Sequence, residues 1–174
     1  MYAEFRRNGL KCIYMKLYHG SYLTVDKPDI RFSRNTTDFG RGFYTTPLEE
    51  QAAAWAKRFK RKKGASVISI YELNETELKN NAVIKPFYSY NEEWLEFVLT
   101  CRSGKINENN FDIIIGGVAN DNVFDTVQLV ADGLIPKSEA LKRLSFQEPN
   151  IQYCFRSQTV IDKYLRFILS YESK

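Results

Sequence analysis

The sequence predicts an α+β fold, and three observations predict it. Short runs rich in aromatic and β-branched residues are interspersed with amphipathic stretches of helical period, without the regular alternation of a parallel α/β sheet. The continuous apolar run from Phe111 to Gly117 is bounded by glycines, as a strand buried on both faces would be. Of the 174 residues, 44% are hydrophobic and 14% aromatic, enough for the core of one domain and contrary to disorder.

The elements follow in order. Residues 1–14 read as an N-terminal appendage and residues 15–174 as a single domain, because Met15-Lys16-Leu17-Tyr18 reads as the start of a first strand. Gly42 to Thr46 is a second strand, followed by Pro47 at a helix start with Thr46 as N-cap. That helix opens on Glu49 and Glu50, sets Ala52, Trp55, Ala56 and Phe59 on one face, and stops at Gly64. Ser66 to Tyr71 and Ala82 to Ile84 are strands. Asn91 offers an N-cap to a helix from Glu92 that ends near Gly104. Asp121 to Ala131 and Ser138 to Leu144 are helices, and Ile151 to Phe155 is the last strand. Ser157 caps a final helix with Ile161, Tyr164, Leu165 and Ile168 inward.

Composition narrows the function. No apolar stretch reaches the roughly 18 residues that cross a bilayer, and the N-terminus lacks the apolar core of a secretory signal, so a cytoplasmic location without membrane contact is expected. The three cysteines, Cys12, Cys101 and Cys154, are odd in number and widely spaced, which fits buried thiols in a reducing compartment. Net charge is +4, and much of the excess sits in the run from Lys57 to Lys63. That run closes a helix, where the dipole favours cations, which is the simpler account; binding to nucleic acid or another polyanion is the sharper one.

Chemistry is narrowed by elimination. His19 is the only histidine, no G-x-S-x-G elbow occurs, and the His and Cys spacings of a zinc site are missing, so no metal is expected. There is no P-loop and no Rossmann fingerprint. What remains is Tyr18-His19-Gly20-Ser21 at a strand end and the segment from Asp38 to Thr46. An imidazole beside a glycine presents hydrogen-bonding groups to a backbone that a flat ligand can approach, which suits a small planar amide. Gly40 and Gly42 flank Arg41, so backbone N–H groups and a guanidinium could meet a pyrophosphate, and Tyr44 supplies a stacking face. Arg34 and Arg41 read as phosphate contacts or as ordinary loop charges. Asn120 and Asp121 serve equally as N-caps or as pocket residues.

Leu17-Tyr18-His19-Gly20-Ser21, Asp38-Phe39-Gly40-Arg41-Gly42-Phe43-Tyr44-Thr45-Thr46, Gln51-Ala52 and Trp55-Ala56 together resemble an uncharacterised bacterial family, domain of unknown function 3990, placed in the ADP-ribosyltransferase clan. The similarity continues through Asp112 to Gly116, Ala119-Asn120-Asp121 and Gln152. The resemblance implies an ADP-ribosyltransferase-like fold, with split, bent β-sheets, flanking helices and a central cleft for NAD as substrate. In the clan's H-Y-E branch, His19 would match the residue bonding the adenosine-side ribose, Gly20 the backbone clasping the nicotinamide carboxamide, and Tyr44 the aromatic stacked on the nicotinamide ring. His19, Tyr44 and Gln152 would form the catalytic set, and His19, Gly20, Ser21, Arg34, Arg41, Tyr44, Thr45, Asn120 and Asp121 the cofactor-binding set.

Gln152 stands where the clan places a glutamate. Nicotinamide departure leaves positive charge on the ribose, and one carboxylate at ~4 Å in an effective dielectric near 20 supplies on the order of 4 kcal/mol, about a thousandfold in rate. Glutamine keeps a hydrogen bond but no charge, so either turnover is slow, or another carboxylate, Asp121 or Glu148, substitutes, or the site only binds NAD. The expected function is mono-ADP-ribosyl transfer from NAD to a macromolecular acceptor, as a toxin or effector with an antitoxin or immunity partner. The alternatives are a catalytically weak or inactive NAD-binding module and a polyanion-binding protein using the Lys57 to Lys63 run.

Overall fold

The computed structural model describes residues 2–7, 10–105, 110–118, 121–147 and 149–173. It is α+β, with two four-stranded sheets and six helices among the described residues. The first sheet is antiparallel throughout, in the order β1 (Tyr2–Arg7), β2 (Leu10–Ser21), β4 (Val67–Asn74), β8 (Leu165–Glu172). In the second, β3 (Phe43–Thr45), β7 (Ile151–Phe155) and β6 (Ile113–Gly117) are antiparallel neighbours, and β5 (Ile84–Pro86) runs parallel to β6 at the edge. An edge position suits Pro86, which has no N–H to give a further strand.

The sheets meet at one point. Tyr18 and Thr46 form an isolated antiparallel bridge, Tyr18 N–H donating to Thr46 O at 2.8 Å and Thr46 N–H to Tyr18 O at 2.9 Å. Two buried clusters hold the layers together. Met15, Leu17, Tyr71 and Leu73 of the first sheet pack with Phe43, Ile113 and Phe155 of the second, and with Leu78, Val160 and Ile161 from two short helices, α2 (Glu75–Asn81) and α6 (Gln158–Tyr164). On the far face of the second sheet, Ile114 and Cys154 meet Phe39, Trp94, Leu95, Val98, Val123, Val127, Ala140 and Leu144. These side chains come largely from α3 (Glu92–Arg102), α4 (Asp121–Ala131) and α5 (Lys137–Leu144).

Helix α1 (Glu49–Lys63) covers the other face of the first sheet, burying Ala52 and Ala56 against Gly20. A Cβ on Gly20 would lie 2.1 Å from Ala52 O and 3.0 Å from Ala56 N, so only glycine lets the helix sit this close. Gly64 ends α1 in the left-handed conformation (φ 75°), and its N–H donates to Lys60 O at 3.0 Å.

Several boundaries differ from those the sequence predicts. The strand expected to start at Met15 starts at Leu10 and crosses Met15 without a break, paired with β1 and then β4. Thr46 does not cap α1: its hydroxyl donates to Ile151 O at 2.9 Å and accepts from Leu48 N–H at 3.1 Å, so the helix begins at Glu49. Ser157 holds the N-cap position of α6 without a side-chain cap bond. The final helix stops at Tyr164, and Leu165–Glu172 is a strand against β4. The pairing slips between Ile70 and Tyr71, whose partners are Leu169 and Phe167, so Ile168 is an extra residue in a bulge. A bulge interrupts period-two alternation, and Ile161, Leu165 and Ile168 then mimic a helical stripe.

Candidate functional site

The candidate site is the seam beyond the Tyr18–Thr46 bridge. Side chains alternate along a strand, so Leu17, His19 and Ser21 face the inter-sheet layer while Tyr18 and Gly20 face the other way. His19 stacks on Phe43, ring centroids 4.6 Å apart at 35°. Its Nδ1–H donates to Tyr44 O at 2.7 Å. That bond fixes the neutral tautomer and leaves the Nε2 lone pair as an acceptor. Burial lowers the imidazole pKa from its ordinary 6.5, and the bond to the Tyr44 carbonyl opposes the shift without cancelling it.

Backbone geometry adds a second pair of groups. Tyr18 spends its N–H and C=O on Thr46, so the hydrogen-bonding edges of Leu17 and His19 serve β4, and those of Gly20 point to the same side as Tyr18's. The Tyr18–Thr46 bridge does not continue to Gly20, which is buried against α1. Counting from the bridge, Thr45 lies across the seam from His19; its hydroxyl is buried and has no partner among the described residues. Ser21 is also buried, at 9% exposure.

Tyr44 behaves differently from its sequence reading. Phe43 belongs to the inter-sheet cluster and Tyr44 packs on the opposite one, so imidazole and phenol lie on opposite faces of β3. The Tyr44 hydroxyl donates to Gly40 O at 2.6 Å, accepts from Phe39 N–H at 3.1 Å, and lies 2.8 Å from the Thr37 hydroxyl. Burial, foremost, pushes its pKa well above 10. Gly40, at φ 73°, makes the turn that brings its carbonyl to the phenol. The two rings that the sequence groups together thus share a backbone link and no common hollow.

Gln152 lies on the Tyr44 side. It pairs with Gly116 and follows the same face as Cys154, which pairs with Tyr44. It is 8% exposed, and its Nε2 has no partner among the described residues. Arg41 is exposed, and its Nε donates to Ile30 O and its Nη2 to Arg31 O, both at 3.1 Å, pinning the preceding turn. Arg34 is exposed. Asn120, Glu148 and the side chain of Asp121 lie outside the described residues.

The sequence reading includes Asp38 in the motif without giving it a role; it accepts from Arg102 Nε at 2.9 Å and Nη2 at 2.7 Å and so ties the 37–40 turn to α3. Nothing local signals a pair 64 residues apart. An open cleft of about 580 Å³ lies elsewhere, between Asp26–Arg31 and the α6 residues Gln158, Ile161 and Asp162, and none of the predicted residues line it. Gln158 latches that loop, accepting from Ile30 N–H at 3.1 Å and donating to Pro28 O at 2.9 Å. Among the described residues no group of three or more His, Cys, Asp and Glu side chains could hold a metal, and no helix is long and apolar enough to cross a membrane.

Fold and seam together define an α+β protein of two sheets joined at a single bridge, with a polar edge where they separate. The chain belongs to the family described as Protein of unknown function (DUF3990), which matches residues 15–167. No curated protein and no solved structure matches it.

Proposed function

We propose that the protein is a cytoplasmic mono-ADP-ribosyltransferase that takes NAD as its substrate and modifies a macromolecular acceptor, as a toxin or effector held in check by an antitoxin or immunity protein. One observation carries this reading: a histidine held in a single tautomer beside Gly20, just beyond the last backbone bridge between the sheets. A carboxamide pairs an NH2 donor with a C=O acceptor, and these complement the C=O and N–H of a backbone residue such as Gly20. His19 Nε2 accepts from a ribose hydroxyl, and two sheets parting from one bridge suit an ADP-ribosyltransferase-like fold.

In the transfer, the bond between the nicotinamide nitrogen and the ribose carbon breaks and nicotinamide leaves with the electron pair. The acceptor nucleophile forms the new bond to that carbon and loses its proton to solvent. His19 and Gly20 bind and orient, and Gln152, uncharged where the clan places a glutamate, leaves the developing charge less stabilised, which makes turnover slow.

A second reading, an NAD-binding module without turnover, is favoured by the neutral, buried amide of Gln152. Purified protein incubated with labelled NAD and a cell lysate separates the two. The transferase releases nicotinamide and labels an acceptor, and His19→Ala loses both. The binding module gains thermal stability from NAD with no nicotinamide released. Neither labelling nor a shift in melting temperature ends both readings.

A further inference from the structure

The flank of α1 beside Ala52 and Ala56 presents an arrangement the seam does not use, since of the stripe Ala52, Trp55, Ala56 and Phe59 only the two alanines are buried. Phe59 packs between Tyr22, which follows β2, and Trp55, with centroid separations of 5.7 and 6.4 Å. The outer rings are 40% and 42% exposed. Cations stand on the same rings: the Arg58 guanidinium lies 4.8 Å from the Trp55 centroid and Lys63 Nζ 5.4 Å from that of Tyr22. The surrounding run from Lys57 to Lys63 holds six cationic side chains, all exposed. Meanwhile the inner face of the helix is locked onto Gly20. The ladder therefore stands on a fixed support.

A helix dipole accounts for cations in the last turn and for nothing in the aromatic ladder. Three contacting rings, two of them covered on one side by a guanidinium or an ammonium group, leave flat faces on which bases stack while the cations meet phosphates. We infer that this face of α1, with Tyr22, binds single-stranded nucleic acid. A duplex hides its base faces and offers only charge; an acidic peptide offers charge without flat faces. Single strands offer both. The surface needs no NAD, so its test is independent of the function proposed above.

The test uses the full chain and a labelled 12-nucleotide poly-U RNA, titrated at several salt concentrations beside a 12-base-pair duplex and polyglutamate. The chain has two tryptophans, and Trp94 is fully buried, so quenching of tryptophan fluorescence reports on Trp55. The expected result is single-strand binding with quenching, tighter than duplex or polyglutamate at equal salt. Trp55→Ala, an exposed substitution, weakens it about tenfold or more and leaves the salt slope unchanged. Lys57→Gln with Lys62→Gln weakens it at low salt and flattens the slope by about 1 to 1.5. Absence of binding overturns the inference. So does duplex or polyglutamate binding as tight as the single strand, or a harmless Trp55→Ala, since either leaves only a charged surface.

Discussion

The imidazole of His19 donates to the carbonyl of Tyr44 at 2.7 Å, a side-chain hydrogen bond that crosses the line where the two sheets separate. It ties β2 to β3 just beyond their last backbone pair.

Burial of that imidazole makes stability depend on mild acid. The His19 pKa is lowered below 6.5 in the folded protein, chiefly by desolvation, so below pH 6.5 the unfolded chain binds the proton that the folded one refuses. The contribution is complete above pH 6.5 and is lost as pH falls from there towards the folded value. Urea melts at pH 8, 7, 6 and 5 should show the midpoint dropping below pH 6.5. In His19→Gln that drop should shrink, and an undiminished drop assigns the effect to another group.

Gly20→Ala places a methyl group against backbone rather than against a flexible side chain, 2.1 Å from Ala52 O. Helix α1 must shift outward, at a cost of about 3 kcal/mol by analogy with overpacked cores. Equilibrium unfolding should register the loss. A cost below about 0.5 kcal/mol, the ordinary scatter of surface changes, contradicts the close approach.

Tyr44→Phe separates two roles for one phenol. The hydroxyl accepts from the N–H of Phe39, a residue with no exposed surface, and donates to Gly40 O. Its removal leaves the buried Phe39 N–H unpaired, while Gly40 O keeps the Thr37 hydroxyl, and should cost about 1–3 kcal/mol, with faster hydrogen exchange at the Phe39 amide. The ring itself is retained. If NAD binding requires Tyr44 to leave the 37–40 turn, the variant should bind NAD at least as well as the wild type, because the hydroxyl no longer holds the ring in place. Weaker NAD binding would instead show the turn contributing in its present form.

What the sequence discloses is local. Asn91 caps α3 through Trp94 N–H as expected, Asp121–Ala131 is a helix to the residue, and Ile151–Phe155 is a strand, because capping and periodicity lie within a few neighbours. Helix α2 escaped notice although Asn74 accepts from Glu77 N–H, since seven polar-rich residues show little apolar period. The bulge at Ile168 is written in the pairing of β8 with β4, strands about a hundred residues apart, and no window on the chain contains it. The orientation of the Tyr44 ring is hidden for a similar reason. Spacing set it near His19, and strand alternation, visible once Phe43 is found against the inter-sheet layer, turned its ring to the other side.

Gln152 offers the sharpest test of what the site can do, because its buried amide nitrogen lacks a partner. Gln152→Met keeps the volume and removes the orphaned donor, so stability should hold or rise by about 1 kcal/mol. Gln152→Glu puts a carboxyl where burial raises its pKa above the unfolded value of about 4.3. Its penalty should therefore be small at pH 4 and grow as pH rises, by on the order of 1.4 kcal/mol for each unit by which the folded pKa exceeds the unfolded one. Nicotinamide release measured on the folded fraction then decides the chemistry. If a missing charge limits turnover, Gln152→Glu should release nicotinamide faster than wild type by up to about a thousandfold, and Gln152→Met should not. An unchanged rate in folded Gln152→Glu, with His19→Ala equally unchanged, would mean that the seam and the far face of the second sheet do not act as one site.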